Sequence, residues 1–333
     1  KRLEDEADKI VERYAVGRLI VAGDNRYLSG DLLDFLNCLP VTKTETSKKA
    51  NTFINFRWAL ELNHQNFFAP GAAYQPGHVC TLLRNPHIAR NEEMQLYPLE
   101  DSKNLRDQYL GHLTDVVMVG YTSLAAERLG GADYDGDMIK TISDPILNEC
   151  VKRNIHHDPP RSRSVFSRSH NLPLLMIPTV QPQIRSADDW EARFETVRST
   201  FSSRVGQICN AALDRSIIAY NENSDATERE RCREETETLA ILTGLEIDSA
   251  KSGIRPDLDE YLTHKTVKRS AFLKYKTLVE EAETRRVWYE PTHAAKVKAF
   301  FKKADWSKVD SNVERLPYLA QQLKKNTPRI KAK

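Results

Sequence analysis

The chain has 333 residues, 40% of them hydrophobic, enough apolar material for one or two packed cores. Its 49 Lys and Arg against 47 Asp and Glu leave a net charge of +2, so overall charge neither demands nor excludes a nucleic-acid partner. No run approaches the roughly 18 apolar residues of a membrane span, "KRLEDEADKI" lacks a secretory pattern, and five scattered cysteines (Cys38, Cys80, Cys150, Cys209, Cys232) form no CxxC. These features point to a reduced intracellular protein, in the cytoplasm or, in a nucleated cell, the nucleus, with neither membrane segment nor zinc ribbon.

In chain order, residues 1–14 carry Leu3, Ala7, Ile10, Val11 and Tyr14 at helical spacing. From 17 to about 150, short apolar runs ("RLIVAG", "HVCTLL", "MQLYPL", "HLTDVVMVGY", "DMIKTI") alternate with Gly, Pro, Asn and Asp. These predict strands joined by turns, with a helix at "SGDLLDFLNCL", and together a compact barrel. Residues 151–186 contain five prolines (159, 160, 173, 178, 182) and the basic stretch "RSRSVFSRSH", and predict a long linker.

Beyond the linker, Ser186 followed by Asp189 reads as an N-cap with an acidic third residue. Trp190, Phe194, Val197, Phe201, Val205, Ile208, Ala212 and Leu213 then keep one helical period, predicting a single long helix over 187–220. Further helices are expected at 226–243, 258–284 and 292–303. The predicted architecture is α+β in three parts: a β-barrel over 1–150, a Pro-rich basic linker over 151–186 and a helical region over 187–333.

Chemistry concentrates in "GGADYDGDMIKT", residues 130–141. Asp133, Asp135 and Asp137 alternate, so on an extended chain they point the same way, and Gly136 permits a sharp bend that draws them together. Three such carboxylates repel unless some protonate or share a cation. Clustered hard oxygens select Mg²⁺, Mn²⁺ or Ca²⁺. An EF-hand starting at Asp133 fails, because Met138 stands where that loop requires glycine. The apolar flanks "ERLGGA" and "MIKTISDPIL" predict a half-buried cluster rather than a solvated turn. Mg²⁺ on several carboxylates, completed by substrate phosphates, is the site of nucleotide-transferring enzymes.

The motif "GGADYDGD" resembles the catalytic DxDGD loop of two-barrel RNA polymerases, which lies on a double-psi β-barrel. The segments "GRLIVAGDNRYLSGDLLDFL" (17–36), "GHVCTLLRNPHIARNEEMQLYPL" (77–99), "LGHLTDVVMV" (110–119), "RVGQICNAALD" (204–214) and "LAILTGLEIDSAKSG" (239–253) resemble, in the same order, parts of the cellular RNA-dependent RNA polymerases. The resemblance covers roughly residues 15–275. It implies that Asp133, Asp135 and Asp137 hold catalytic Mg²⁺ (Mn²⁺ as the substitute). Arg84 in "RNP" matches a position that is an arginine near the nucleotide sugar in the multisubunit relatives and often a lysine in the RNA-dependent ones, with a surface arginine on a strand as the alternative; Lys251 in "DSAKSG" matches a lysine of the family's "KTG" segment, with a helix-end lysine as the alternative. The resemblance implies ribonucleoside triphosphates as substrates and an RNA template and product as partners.

Two departures matter. Multisubunit relatives have Asn two residues before the first aspartate; Gly131 stands there, as in the RNA-dependent branch, and phage-type single-subunit enzymes that copy DNA stay open as the alternative. The complete enzymes also have a second, upstream barrel that supplies lysines. Only one barrel is legible here, so the chain is expected to be a C-terminal catalytic portion that needs the rest of the protein. A non-catalytic nucleic-acid or metal-binding module on the same fold is the other functional class. Arg161, Arg163 and Arg168 are candidates for phosphate contacts or a solvated linker. His156, His157 and Asp158 are candidates for metal ligands or plain loop. "FFKKADWSK" and "KKNTPRIKAK" are candidates for nucleic-acid contact or basic tail.

Overall fold

The computed structural model describes residues 2–33, 35, 62, 65–75, 77–99, 105–121, 123–156, 172–263, 267–284, 291–309 and 311–326. They form two compact units, one from residues 21–179 and one from residues 1–20 with 180–333. The linker basics Arg161, Arg163 and Arg168, and also His157 and Asp158, lie outside the described residues. The tail from 327 does too, and the helix expected after Asp31 is described only at its start.

The first unit is a closed six-stranded barrel in the order β1-β5-β2-β4-β3-β6. Its strands are β1 (Gly23–Gly30), β2 (Asn66–Phe68), β3 (Cys80–Arg84), β4 (Met94–Pro98), β5 (Val116–Val119) and β6 (Met138–Ile142). Pairs β1–β5 and β2–β4 are parallel, with Tyr27 opposite Val116 and Asn66 opposite Tyr97. The other four pairs are antiparallel. This mixed closed barrel, followed by helices, is the α+β double-psi arrangement expected.

Alternation along each strand separates two cores. Leu28, Phe67, Leu82, Leu96, Val117, Val119 and Ile139 fill the barrel interior. Phe68 and Met118, one residue out of phase, join Leu33, Leu62 and Leu110 in a second cluster outside it. Each such buried side chain contributes about 1.5–3 kcal/mol. Helix α2 (Leu105–Leu110) covers that outer cluster, α3 (Ala125–Arg128) leads into the aspartate loop, and α4 (Pro145–His156) follows β6. Asn148 of α4 donates to Val79 O at 2.8 Å and accepts from Thr81 Oγ1 at 2.7 Å, fixing the helix to β3. Helix α4 thus occupies the start of the span read as linker; residues 172–187 carry no helix or strand.

Strand β1 corrects the sequence expectation. The apolar run "RLIVAG" is not its source: Ile20 is 81% exposed, and the strand forms from the more polar "GDNRYLSG". Arg26 makes this feasible. Its guanidinium is buried: Nη1 donates to the carbonyls of Pro70 (2.9 Å) and Thr114, and Nη2 lies 3.5 Å from Asp24 Oδ2, so a charged side chain takes an inward position with partners for both terminal nitrogens.

The second unit contains α1 (Arg2–Ala15), α5 (Trp190–Thr200), α6 (Val205–Ala219), α7 (Ala226–Ser252), α8 (Asp259–Leu262), α9 (Ala271–Thr284), α10 (Pro291–Lys303) and α11 (Leu316–Asn326). Helix α1 was read with the barrel; its contacts place it here. Ala15 and Val16 share a core with Phe272, Leu273, Tyr275 and Trp306.

The single helix expected over 187–220 is two, interrupted at 201–204. Arg204 is the reason visible in the structure: its backbone N–H (2.8 Å) and guanidinium (2.8 Å) both bind Glu246 of α7, drawing the chain out of helical register. Helix α5 has no buried residue, and its aromatic stripe, Trp190, Phe194 and Phe201, is exposed. Asp189, not Ser186, is its N-cap, accepting from Glu191 N and Ala192 N.

Candidate metal centre

The three aspartates lie in the loop between α3 and β6, at the rim of the barrel. Two glycines shape the loop. Gly131 has φ +68°, and a Cβ there would come within 2.9 Å of Ile177 Cδ1; Gly136 has φ +122°, a region L side chains rarely adopt. The loop is therefore folded back rather than extended. One oxygen from each of Asp133, Asp135 and Asp137 lies within 4.8 Å of the others.

Internal hydrogen bonds order the carboxylates. Asp133 N donates to Asp137 Oδ2 at 2.8 Å, and Asp135 N donates to Asp133 Oδ1 at 3.2 Å. Leu28 N of β1 donates to Asp137 O at 2.8 Å, hooking the loop's end to the barrel wall. The cluster was expected to be half-buried; instead Asp133 and Asp135 are exposed and only Asp137 is partly covered. The apolar flanks point into the barrel, where Ala132 and Ile139 are buried, while the acids between them face out.

Arg84, at the end of β3, is brought directly to this loop. Its Nη1 donates to Gly130 O at 3.0 Å, and its Nη2 lies 2.8 Å from Asp137 Oδ1. Lys251 lies in the other unit, exposed in the last turn of α7, where a cation suits the helix dipole.

Two supporting residues were missed in the sequence. Arg128, buried at the end of α3, donates to the carbonyls of Asn91 (3.1 Å) and Leu172 (3.2 Å), and burial lowers its pKa to about 10. Glu92, buried beneath Gly130, accepts from Ile88 N and Ala89 N at 2.8 Å each. Burial raises the pKa of this carboxyl, although those two N–H donors act against the rise.

The donor set fits a hard divalent cation: three carboxylates converge from one loop, and two of them are open to solvent, leaving room for phosphate oxygens to complete the shell. A family model for RNA dependent RNA polymerase matches residues 50–298. Among solved structures, the RNA dependent RNA polymerase QDE-1 from Thielavia terrestris is similar at 15% identity with a TM-score of 0.46, over 81% of this chain and 27% of that one. The chain thus spans little more than a quarter of that protein's length. No curated protein matches in sequence. The family match covers well over half of the chain, and the chain belongs to the RNA-dependent RNA polymerase family.

Proposed function

We propose that this chain carries the catalytic centre of an RNA-directed RNA polymerase. The reading rests on one observation: in a chain of this family, three carboxylates converge on the rim of a closed barrel with their oxygens within 4.8 Å of one another. Asp133, Asp135 and Asp137 would hold Mg²⁺, with Mn²⁺ as the substitute, since a small hard cation suits few carboxylates plus phosphate oxygens. When bound, such ions polarise the phosphate and lower the pKa of the attacking hydroxyl.

The chain's own contribution is position and charge. The loop's internal N–H donors hold the Asp133 and Asp137 carboxylates before substrate arrives, which limits the reorganisation that accompanies the reaction. Arg84 puts a guanidinium beside the carboxylates, where it can meet a nucleotide's sugar. Lys251 enters as a nucleotide-binding candidate on its match to the family's lysine alone. RNA template and product, ribonucleoside triphosphates and a second barrel contributing further lysines complete the proposed assembly. We place it inside the cell; no described helix is long and apolar enough to cross a membrane, and the described cysteines Cys80, Cys150, Cys209 and Cys232 are in no disulfide.

The test uses the full-length protein, labelled ribonucleotides, Mg²⁺, and single-stranded RNA or DNA. Incorporation on RNA, abolished by Asp135→Ala, is the expected result. Incorporation only on DNA would keep the chemistry and change the template. None on either, with Mn²⁺ also tried and folding verified, would leave a binding module.

A further inference from the structure

We infer that Arg84 is a positioning residue that staples the aspartate loop shut before any metal or nucleotide binds. The inference rests on the metal reading above and adds a role for one side chain. A single guanidinium spans both ends of the loop: Nη1 takes Gly130 O at the start and Nη2 takes Asp137 Oδ1 at the end. Six residues, Asp133 and Asp135 among them, lie between the two anchors, and the third carboxylate, Asp137, is itself the second anchor.

The staple is built from a rigid base. Arg84 closes strand β3, paired with Ile139 of β6, so its backbone is fixed by the barrel. The Arg84 and Asp137 side chains are each only 16% exposed, so the pair is shielded from solvent. Asp137 is thereby held at both oxygens, Oδ1 by Arg84 and Oδ2 by Asp133 N. Its rotamer is set, and through the second bond so is the backbone that carries Asp133. A loop of three like charges would otherwise open by mutual repulsion.

Geometry, not charge alone, is the requirement. Two separate nitrogens in one plane reach two acceptors; an ammonium offers a single nitrogen and cannot reproduce the fork. Arg84→Lys therefore keeps the charge and loses the staple. Two measurements follow on the full-length protein. In the metal-free protein, hydrogen exchange at the amides of Asp133 and Asp135 should accelerate in Arg84→Lys, while exchange in β3 and β6 stays unchanged. Mn²⁺ affinity, read by electron paramagnetic resonance, should fall by about 10-fold or more, as when a group orienting a metal ligand is lost. Arg84→Gln, which keeps a planar donor but no charge, is the second variant if the lysine protein proves unstable.

Unchanged exchange and unchanged Mn²⁺ affinity in the folded variant would overturn the staple. So would a higher nucleotide KM with Mn²⁺ binding intact, which would make Arg84 a substrate contact only. Failure of the wild-type chain to bind Mn²⁺, with Asp135→Asn as reference, would instead sink the metal reading, so the two failures are distinguishable.

Discussion

The two units treat charge in opposite ways. In the helical unit, acids that go inside each meet one arginine or two. Glu246 holds Arg204 at 2.8 Å, Asp214 holds Arg269 at 3.2 Å, and Glu235 holds the buried Arg215. In the barrel unit, Asp31 and Arg106 repeat that pattern, paired at zero side-chain exposure. At its rim, residues 129–138 instead carry three acids and no base. Balanced charge orders helices and costs little once satisfied. Concentrated charge of one sign is a stability cost that a cation can relieve, and it marks where the molecule acts.

The sharpest way to break this contrast is to unbalance a balanced pair. Arg106 Nε donates to Asp31 Oδ2 at 3.1 Å, and Asp31 Oδ1 accepts Leu33 N at 3.1 Å. Arg106→Met alone leaves a buried carboxylate unpaired and should lower stability by about 3–5 kcal/mol. Adding Asp31→Leu should recover much of that loss. Denaturant unfolding of both variants reads the difference directly; equal stability of the single and double variants would refute the pairing.

The converse holds at the rim. Asp135→Asn removes an exposed charge from a repelling cluster, so stability should stay within about 0.5 kcal/mol of the parent. Polymerase activity should nevertheless fall by at least about 10²-fold, the scale of losing one preorganised electrostatic group. Mg²⁺ should raise the melting temperature of the parent by mass action and leave the variant's unmoved. A variant that melted far below the parent would place Asp135 in the fold's support instead.

This contrast also explains what the sequence made legible. The aspartate loop, β3 to β6 and most helices follow from local pattern, because each is specified within a dozen residues. Strand β1 was misplaced because Arg26 reads as a surface residue until Pro70 and Thr114, distant in sequence, offer their carbonyls. The break between α5 and α6 depends on Glu246, 42 residues beyond Arg204. The Asp31–Arg106 pair is 75 residues apart. Burial of the loop was overestimated because its apolar flanks were read as surroundings for the acids, whereas they turn the other way.

Acid separates the units next. Burial alone would raise the pKa of Glu246, but hydrogen bonds from the Arg204 side chain and backbone, with the charges of Arg204 and Arg255, outweigh it and the folded pKa falls below the ordinary 4.5. Its stabilising contribution is therefore present above pH 4.5 and lost as pH falls through the lower folded value. Glu92 has the opposite sign. Burial raises its folded pKa above 4.5, so its contribution is complete below pH 4.5 and lost as pH rises through the raised value. Hydrogen exchange resolved by segment, measured from pH 7 downward, should show α7 losing protection, with Glu246→Gln flattening that loss. Glu92→Gln should steepen the acid response of β3 and β4. Identical pH profiles for both variants would refute the assigned signs.

The smallest effect distinguishes two helices with the same cap. Asp225 accepts from Thr227 N and Glu228 N at the start of α7, as Asp189 does from Glu191 N and Ala192 N at the start of α5. The local chemistry is equal, and each cap is worth about 1 kcal/mol. What lies behind them differs. Helix α7 buries Cys232, Leu239 and Ala240, so its fraying must loosen a packed face; α5 buries nothing. Asp225→Ala should therefore lower the denaturant stability of the helical unit by about 1 kcal/mol, with Asp225→Ser restoring it. Asp189→Ala should leave that midpoint unchanged and speed exchange only at the first turn of α5. A global loss from Asp189→Ala would mean that the exposed stripe of Trp190, Phe194 and Phe201 packs in solution after all. The cap thus reports on whether that stripe stands free, because a cap contributes to global stability only in proportion to what its helix holds in place.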